Sequence, residues 1–268
     1  IAQFCLIGVP VMKKLYIGTN TKMYKTIQQT CQFLSLLGER TEDISREQCE
    51  IFVIPSFTSL ESAAKIAQEG NIKLGAQNMG WEDEGAFTGE ISPVMLKEVG
   101  VQIVEIGHSE RRHVLHENDV MVNKKVHAAL RHGFTPLLCI GENEEQKNYK
   151  INREILRTQL KIGLWNITKQ QASQLWIAYE PVWAIGINGK PASKEYANDM
   201  HGVIKETLQE LFGTEASQKI PVLYGGSVNP DNAVGLARMP YIDGLFVGRS
   251  AWDANNFAVL IQNVLQSC

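Results

Sequence analysis

Eight short β-rich runs, each followed by an amphipathic helical stretch, predict an α/β protein closed as a single (β/α)8 barrel. Three observations carry this. Strict β/α alternation implies a parallel sheet. Eight units in about 255 residues is the usual size of such a barrel. Most of the runs are continuously apolar and bounded by Gly or Pro, as strands buried on both faces require.

The strands read as Lys14–Gly18, Ile51–Pro55, Lys73–Gln77, Ile103–Gly107, Thr135–Ile140, Leu175–Glu180, Ile220–Tyr224 and Gly244–Gly248. Among the helices, Asp119–Arg131 carries an apolar stripe of Val122, Val126, Ala129 and Leu130, with Gly133 as a stop. Ser193–Phe212 has Ser193 as a plausible N-cap and Gly213 after its end. Trp252–Leu265 closes the chain. An open doubly wound sheet is the competing architecture. It usually carries GxGxxG after its first strand, and Gly18-Thr-Asn-Thr-Lys22 lacks it.

Composition narrows the function classes. The 268 residues include 26 Lys+Arg and 29 Asp+Glu, a formal charge of −3, with 44% hydrophobic residues. Disordered chains and basic nucleic-acid binders have other balances. Cys5, Cys31, Cys49, Cys139 and Cys268 are scattered and form no CxxC pair. That pattern suggests a reducing, cytoplasmic compartment and no zinc site. The apolar run Ile1–Val11 is too short to span a membrane and has its basic residues on the wrong side for a signal peptide. Residues 1–11 therefore read as an extension before a single catalytic domain at 12–268, with no membrane partner.

In a barrel, chemistry sits just past the C-terminal ends of the strands. Asn20 and Lys22 follow the first strand; if that segment is extended, they point the same way. A lysine there supplies a fixed cation, although two solvated loop residues are the ordinary alternative. His108 follows the fourth strand, beside Glu110 and at the start of a helix, which favours a neutral ring able to donate to a carbonyl. A structural His with a salt-bridged Glu110 is the alternative. His113, His116, His127, His132 and His201 fall on or near helices and read as surface residues. Glu180 ends the sixth strand, beside Pro181 and Trp183: a candidate base. The Gly-containing loop after it suits a lid. Gly225-Gly226-Ser227 and Gly248-Arg249-Ser250 follow strands seven and eight, where barrels often bind phosphate. Base, neutral electrophile, cation and phosphate cradle together suit proton abstraction beside the carbonyl of a sugar phosphate.

From Lys13 onward the sequence resembles the triosephosphate isomerase family, whose fold is the TIM barrel. The resemblance rests on Asn20-x-Lys22-Met23, Ala76-Gln-Asn78, Gly85–Ser92, Gly107-His-Ser-Glu-Arg-Arg112, Cys139-Ile-Gly-Glu142, Ala178–Gly186 and Tyr224-Gly-Gly-Ser-Val228. It implies Glu180 as the proton-moving base, His108 as the electrophile, Lys22 as the cation, Asn20 as its polar partner and Glu110 as the supporting carboxylate. It implies phosphate binding at Gly186, Ser227 and Gly248, with Arg249 as a possible added charge. It also implies a closing lid over Pro181–Ala192 (Pro181, Val182, Trp183, Lys190, Pro191 and Ala192 among its residues). A homodimer follows, in which Thr88 reaches the other subunit, and no metal or organic cofactor.

Four features depart from the family pattern. Thr21 replaces Trp, Tyr24 replaces Asn, Pro191 sits in a lid one residue longer, and Arg249 replaces a Gly. Arg249 would carry strain if that position needs a positive φ. With Gly18–Thr26 and Gly248–Trp252, these resemble the branch acting on erythrulose phosphate. Triose phosphate is the first substrate implied, erythrulose 1-phosphate the second. A barrel that binds sugar phosphates without turnover is the alternative from another class.

Overall fold

The computed structural model describes residues 13–185 and 189–268. Its eight strands are β1 Leu15–Asn20, β2 Cys49–Ile54, β3 Lys73–Ala76, β4 Ile103–Ile106, β5 Thr135–Ile140, β6 Trp176–Tyr179, β7 Val222–Tyr224 and β8 Gly244–Val247. Each pairs in parallel with the next, and β1 pairs with β8, closing the barrel. Around it lie α1 Ile27–Arg40, α2 Leu60–Glu69, α3 Pro93–Glu98, α4 Ser109–His113, α5 Asp119–Arg131 and α6 Glu144–Asn148. The circuit is completed by α7 Asn152–Gly163, α8 Lys169–Ala172, α9 Lys194–Phe212, α10 Thr214–Gln218, α11 Ala233–Ala237 and α12 Ala254–Ser267.

Several elements follow from local chemistry. The expected bounds of β5 and α5 hold. Ser193 caps α9 by accepting the Tyr196 N–H at 3.1 Å, worth about 1 kcal/mol. Gly213 ends that helix at φ 80°, where a Cβ would be strained. β7 starts at Val222 rather than Ile220, just after Pro221, which has no N–H for the ladder. β1 runs two residues further than expected, so Asn20 is its last residue.

Two apolar layers result. The larger lies between strands and helices, with Ile17, Val53, Val104, Leu138 and Ile177 facing helical residues such as Val126, Leu160, Ile204 and Ile261. The smaller fills the barrel axis: Phe52, Ile54, Ile103, Leu137, Cys139, Trp176, Ala178, Leu223 and Phe246, with Tyr16 against them. Trp176 meets Tyr16 edge-on at 4.9 Å and Phe52 at 5.5 Å, and Phe52 stacks on Phe246 at 5.6 Å. Such pairs add about 1 kcal/mol each beyond their buried area. Gly18 makes room for this plug, because a Cβ there would lie 2.4 Å from the Phe52 ring. The axis is therefore closed by aromatic rings, and side chains of the upper layer face the loops beyond the strands. No helix among the described residues is long and apolar enough to cross a membrane.

Candidate active site

The loops past the strand ends enclose a pocket of about 690 Å³, lined by Asn20, Lys22, His108, Glu110, Glu180, Ser227, Gly248 and Arg249 among others. Nine of the expected residues, Pro191 included, thus meet in one place. Gly186 lies outside the described residues. Thr88 sits in an exposed loop and does not line this pocket.

His108 caps α4. Its Nδ1 accepts the backbone N–H of Glu110 at 3.2 Å, which leaves the ring proton of the neutral form on Nε2. Nε2 lies 3.5 Å from Glu180 Oε1. His108 is 5% and Glu180 4% exposed, so both are shielded from bulk water. Glu180 Oε2 is buried with no hydrogen-bond partner in the protein, a costly arrangement unless a ligand or water completes it. Gly225 allows the carboxylate this position. A Cβ on Gly225 would stand 2.8 Å from Glu180 Cγ and 3.2 Å from Oε1.

The segment after β1 departs from the extended reading. Lys22 adopts the left-handed conformation, φ 52°, at a cost of about 1 kcal/mol. Asn20 and Lys22 therefore do not share a direction through strand alternation. They are joined instead by a turn in which Asn20 Oδ1 accepts the Lys22 N–H at 2.6 Å. Lys22 Nζ then meets Glu110 Oε1 at 2.6 Å, across from the turn after β1 to α4. Gln77 ties the turn to β3 through its Nε2, which donates to Asn20 Oδ1 at 3.0 Å and to the Lys22 carbonyl at 2.8 Å.

At the opposite side, Ser227 Oγ donates to the Ala184 carbonyl at 2.7 Å, linking the loop after β7 to the segment after β6. Arg249 begins a short 3-10 turn, Arg249–Ala251, with no positive φ, so the backbone strain considered from the sequence does not arise. A Cβ on Gly248 would meet nothing within 4 Å, so that glycine borders open pocket.

Of the lid candidates, Val182 and Trp183 form a 3-10 turn and Pro181 is buried before it. Lys190 and Pro191 are exposed, Pro191 lines the pocket, and Ala192 is buried. Glu142, fully buried, anchors the start of this segment. It accepts from Trp183 Nε1 at 2.8 Å, from Tyr196 Oη at 2.8 Å and from Tyr179 Oη at 3.1 Å.

Sequence reasoning missed Glu105 as a site residue. It is fully buried inside β4, and its Oε2 accepts from Asn20 Nδ2 at 2.5 Å. Burial, chiefly, raises its pKa from 4.5 to about 7; the Glu180 charge adds to this, and His108 and Lys22 oppose it. The available signal was a single carboxylate in the apolar run Ile103-Val-Glu-Ile106. Glu105, His108 and Glu180 offer one ligand atom each within 4.8 Å of one another, enough to hold a metal ion in principle. His201 also differs from expectation: it is fully buried, not at the surface. The four cysteines among the described residues are free thiols.

Comparison with known proteins identifies a family for this fold. The family model described as triosephosphate isomerase matches residues 15–264. An L-erythrulose-1-phosphate isomerase of Rhizobium etli is 44% identical over 252 residues, 93% of this chain and 92% of its own length. Another of that name, from Rhizobium meliloti, is 43% identical over 255 residues, covering 94% and 98%. A triosephosphate isomerase of Dictyoglomus thermophilum is 42% identical over 252 residues, covering 94% and 100%.

Proposed function

Since the chain belongs to the triosephosphate isomerase family and is an isomerase, we propose that it interconverts dihydroxyacetone phosphate and glyceraldehyde 3-phosphate through an enediolate. The observation that carries this is the buried Glu180, whose Oε2 has no protein partner and whose Oε1 lies 3.5 Å from His108 Nε2, in a pocket that Lys22 also lines.

Glu180 takes the proton from the carbon beside the carbonyl. The C–H electron pair becomes the new C=C bond, and the carbonyl oxygen takes the negative charge. His108 donates from Nε2 to that oxygen, and the Lys22 ammonium, held by Glu110, offsets the charge. His108 gives its Nε2 proton to that oxygen and takes the proton of the adjacent hydroxyl, so the C=O bond re-forms one carbon along as Glu180 returns its proton to the neighbouring carbon. Ser227, Gly248, Arg249 and Gly186 hold the phosphate. Pro181–Ala192 closes over the enediolate, excludes water and so limits phosphate loss. The chemistry asks for no metal or organic cofactor.

The assembly is a homodimer in which Thr88 enters the second subunit near Asn20 and His108. Met23, Phe87, Val94 and Met95 are exposed apolar side chains, which supports a covered surface. Sedimentation at assay concentration tests it; a monomer would refute it.

A second substrate, erythrulose 1-phosphate, is favoured by the pocket wall. Arg249, Tyr24 and Trp252 all line the cavity, and Tyr24 packs on Trp252 at 4.6 Å. Arg249 and Tyr24 are two of the departures that resemble the erythrulose-phosphate branch, and two isomerases named for that substrate are 44% and 43% identical to this chain. Turnover of both ketose phosphates by the purified chain decides between the readings. Turnover of neither would sink both.

A further inference from the structure

Glu105 is a fully buried carboxylate beside the pocket residue Asn20, and the proposed chemistry gives it no task. Its contacts single out a neighbour. An asparagine amide can sit in either of two orientations that fill the same space, and its partners decide between them. Asn20 Oδ1 accepts from the Lys22 backbone and from Gln77 Nε2, while Nδ2 donates to Glu105 Oε2. With the amide reversed, Nδ2 would face two donors and Oδ1 would face a carboxylate. The Lys22 N–H, Gln77 and Glu105 together make the observed orientation the only satisfied one.

The consequences run outward from the barrel floor. The fixed Oδ1 receives the Lys22 N–H and so supports the left-handed turn from which the Lys22 side chain reaches Glu110. Nδ2 spends one hydrogen on Glu105 and keeps a second, on a residue that lines the pocket. A carboxylate acceptor also polarises the amide, which strengthens that remaining donor. The pocket wall does not include Glu105 itself, which is fully buried, so its influence on substrate passes through Asn20.

We propose that Glu105 is a positioning residue that locks the Asn20 amide, and through it the Lys22 turn, in the geometry that receives the substrate. The proposal rests on the sugar-phosphate isomerase reading of the same pocket.

A double-mutant cycle of Glu105→Leu and Asn20→Ala tests it, read as kcat and KM with both ketose phosphates. Glu105→Gln is the conservative variant, because its side-chain oxygen still accepts the Asn20 N–H. Glu105→Leu is expected to lower kcat/KM about 10- to 100-fold, as a small misplacement of binding groups does. In the Asn20→Ala background the same change should cost less than about threefold, and Glu105→Gln should restore activity to within about threefold of native. Additive losses overturn the proposal. So does a Glu105→Leu chain with a lower Tm and native kcat/KM. Should Glu105→Leu fail to fold, Glu105→Met takes its place in the cycle.

A native chain that turns over neither substrate would sink the isomerase reading alone. The cycle is then read in the calorimetric Kd of 2-phosphoglycolate, a phosphorylated carboxylate. Coupling there supports the positioning role, and additivity overturns it.

Discussion

Replacing Glu105 by Gln should make the protein more stable at alkaline pH, by an amount set by its burial. The native carboxyl titrates at about 7 instead of 4.5, chiefly because burial disfavours its charge. The groups facing it are Glu180, which raises it further, and His108 and Lys22, which lower it, with Cys139 also in contact. Between these two values the folded chain holds a proton that the unfolded chain has released. Stability from this group is therefore complete below pH 4.5 and lost as pH rises through about 7. Each pH unit corresponds to 1.36 kcal/mol, so ionising Glu105 costs the fold about 3 kcal/mol. A Gln of the same shape carries no such proton. Urea unfolding of both chains, followed by Trp fluorescence at one fixed protein concentration, measures the difference. The variant's advantage should grow by about 3 kcal/mol between about pH 4.5 and about pH 8.5. An advantage that stays flat across that range, or shrinks, would refute the reasoning.

Three further outcomes follow. Glu180→Asp draws the carboxylate back by about one bond length and should lower kcat at least 100-fold with little change in KM, in steady-state assays. Gly225→Ala puts a methyl 2.8 Å from Glu180 Cγ, so kcat should fall about tenfold or more while Tm moves only a few degrees. His201, buried and neutral, titrates at about 3 instead of 6.5, mainly through burial. The unfolded chain takes up its proton first, so stability is present above pH 6.5 and falls by up to about 5 kcal/mol as pH drops towards 3. His201→Gln should flatten that part of the acid-unfolding curve, and an unchanged slope would remove His201 as its source.

The β/α rhythm was legible because strands buried on both faces leave continuous apolar runs, and β5 and α5 could be bounded to the residue. The strand-end rule then found most of the pocket, since polar residues there stand out against apolar strands. Its failures have physical causes. Lys22 lies in a left-handed turn, and no pattern of residue types announces a positive φ at a lysine. Glu105 hid because the strand around it is apolar on both faces, so alternation does not mark which side looks into the axis. His201 carried a signal that was there to read: Ala197, His201, Ile204 and Leu208 recur at helical spacing on the buried stripe of α9. The role of Gly225 depends on the position of a side chain 45 residues away in sequence, on another strand end.

The aromatic stack of Tyr16, Phe52, Trp176 and Phe246 makes the barrel a vessel with a single opening. Everything that enters must leave by the same rim, so substrate, product and water compete for one passage. The stack also separates two kinds of inheritance. The base of the vessel answers to packing alone, while the rim can be rewritten without disturbing it.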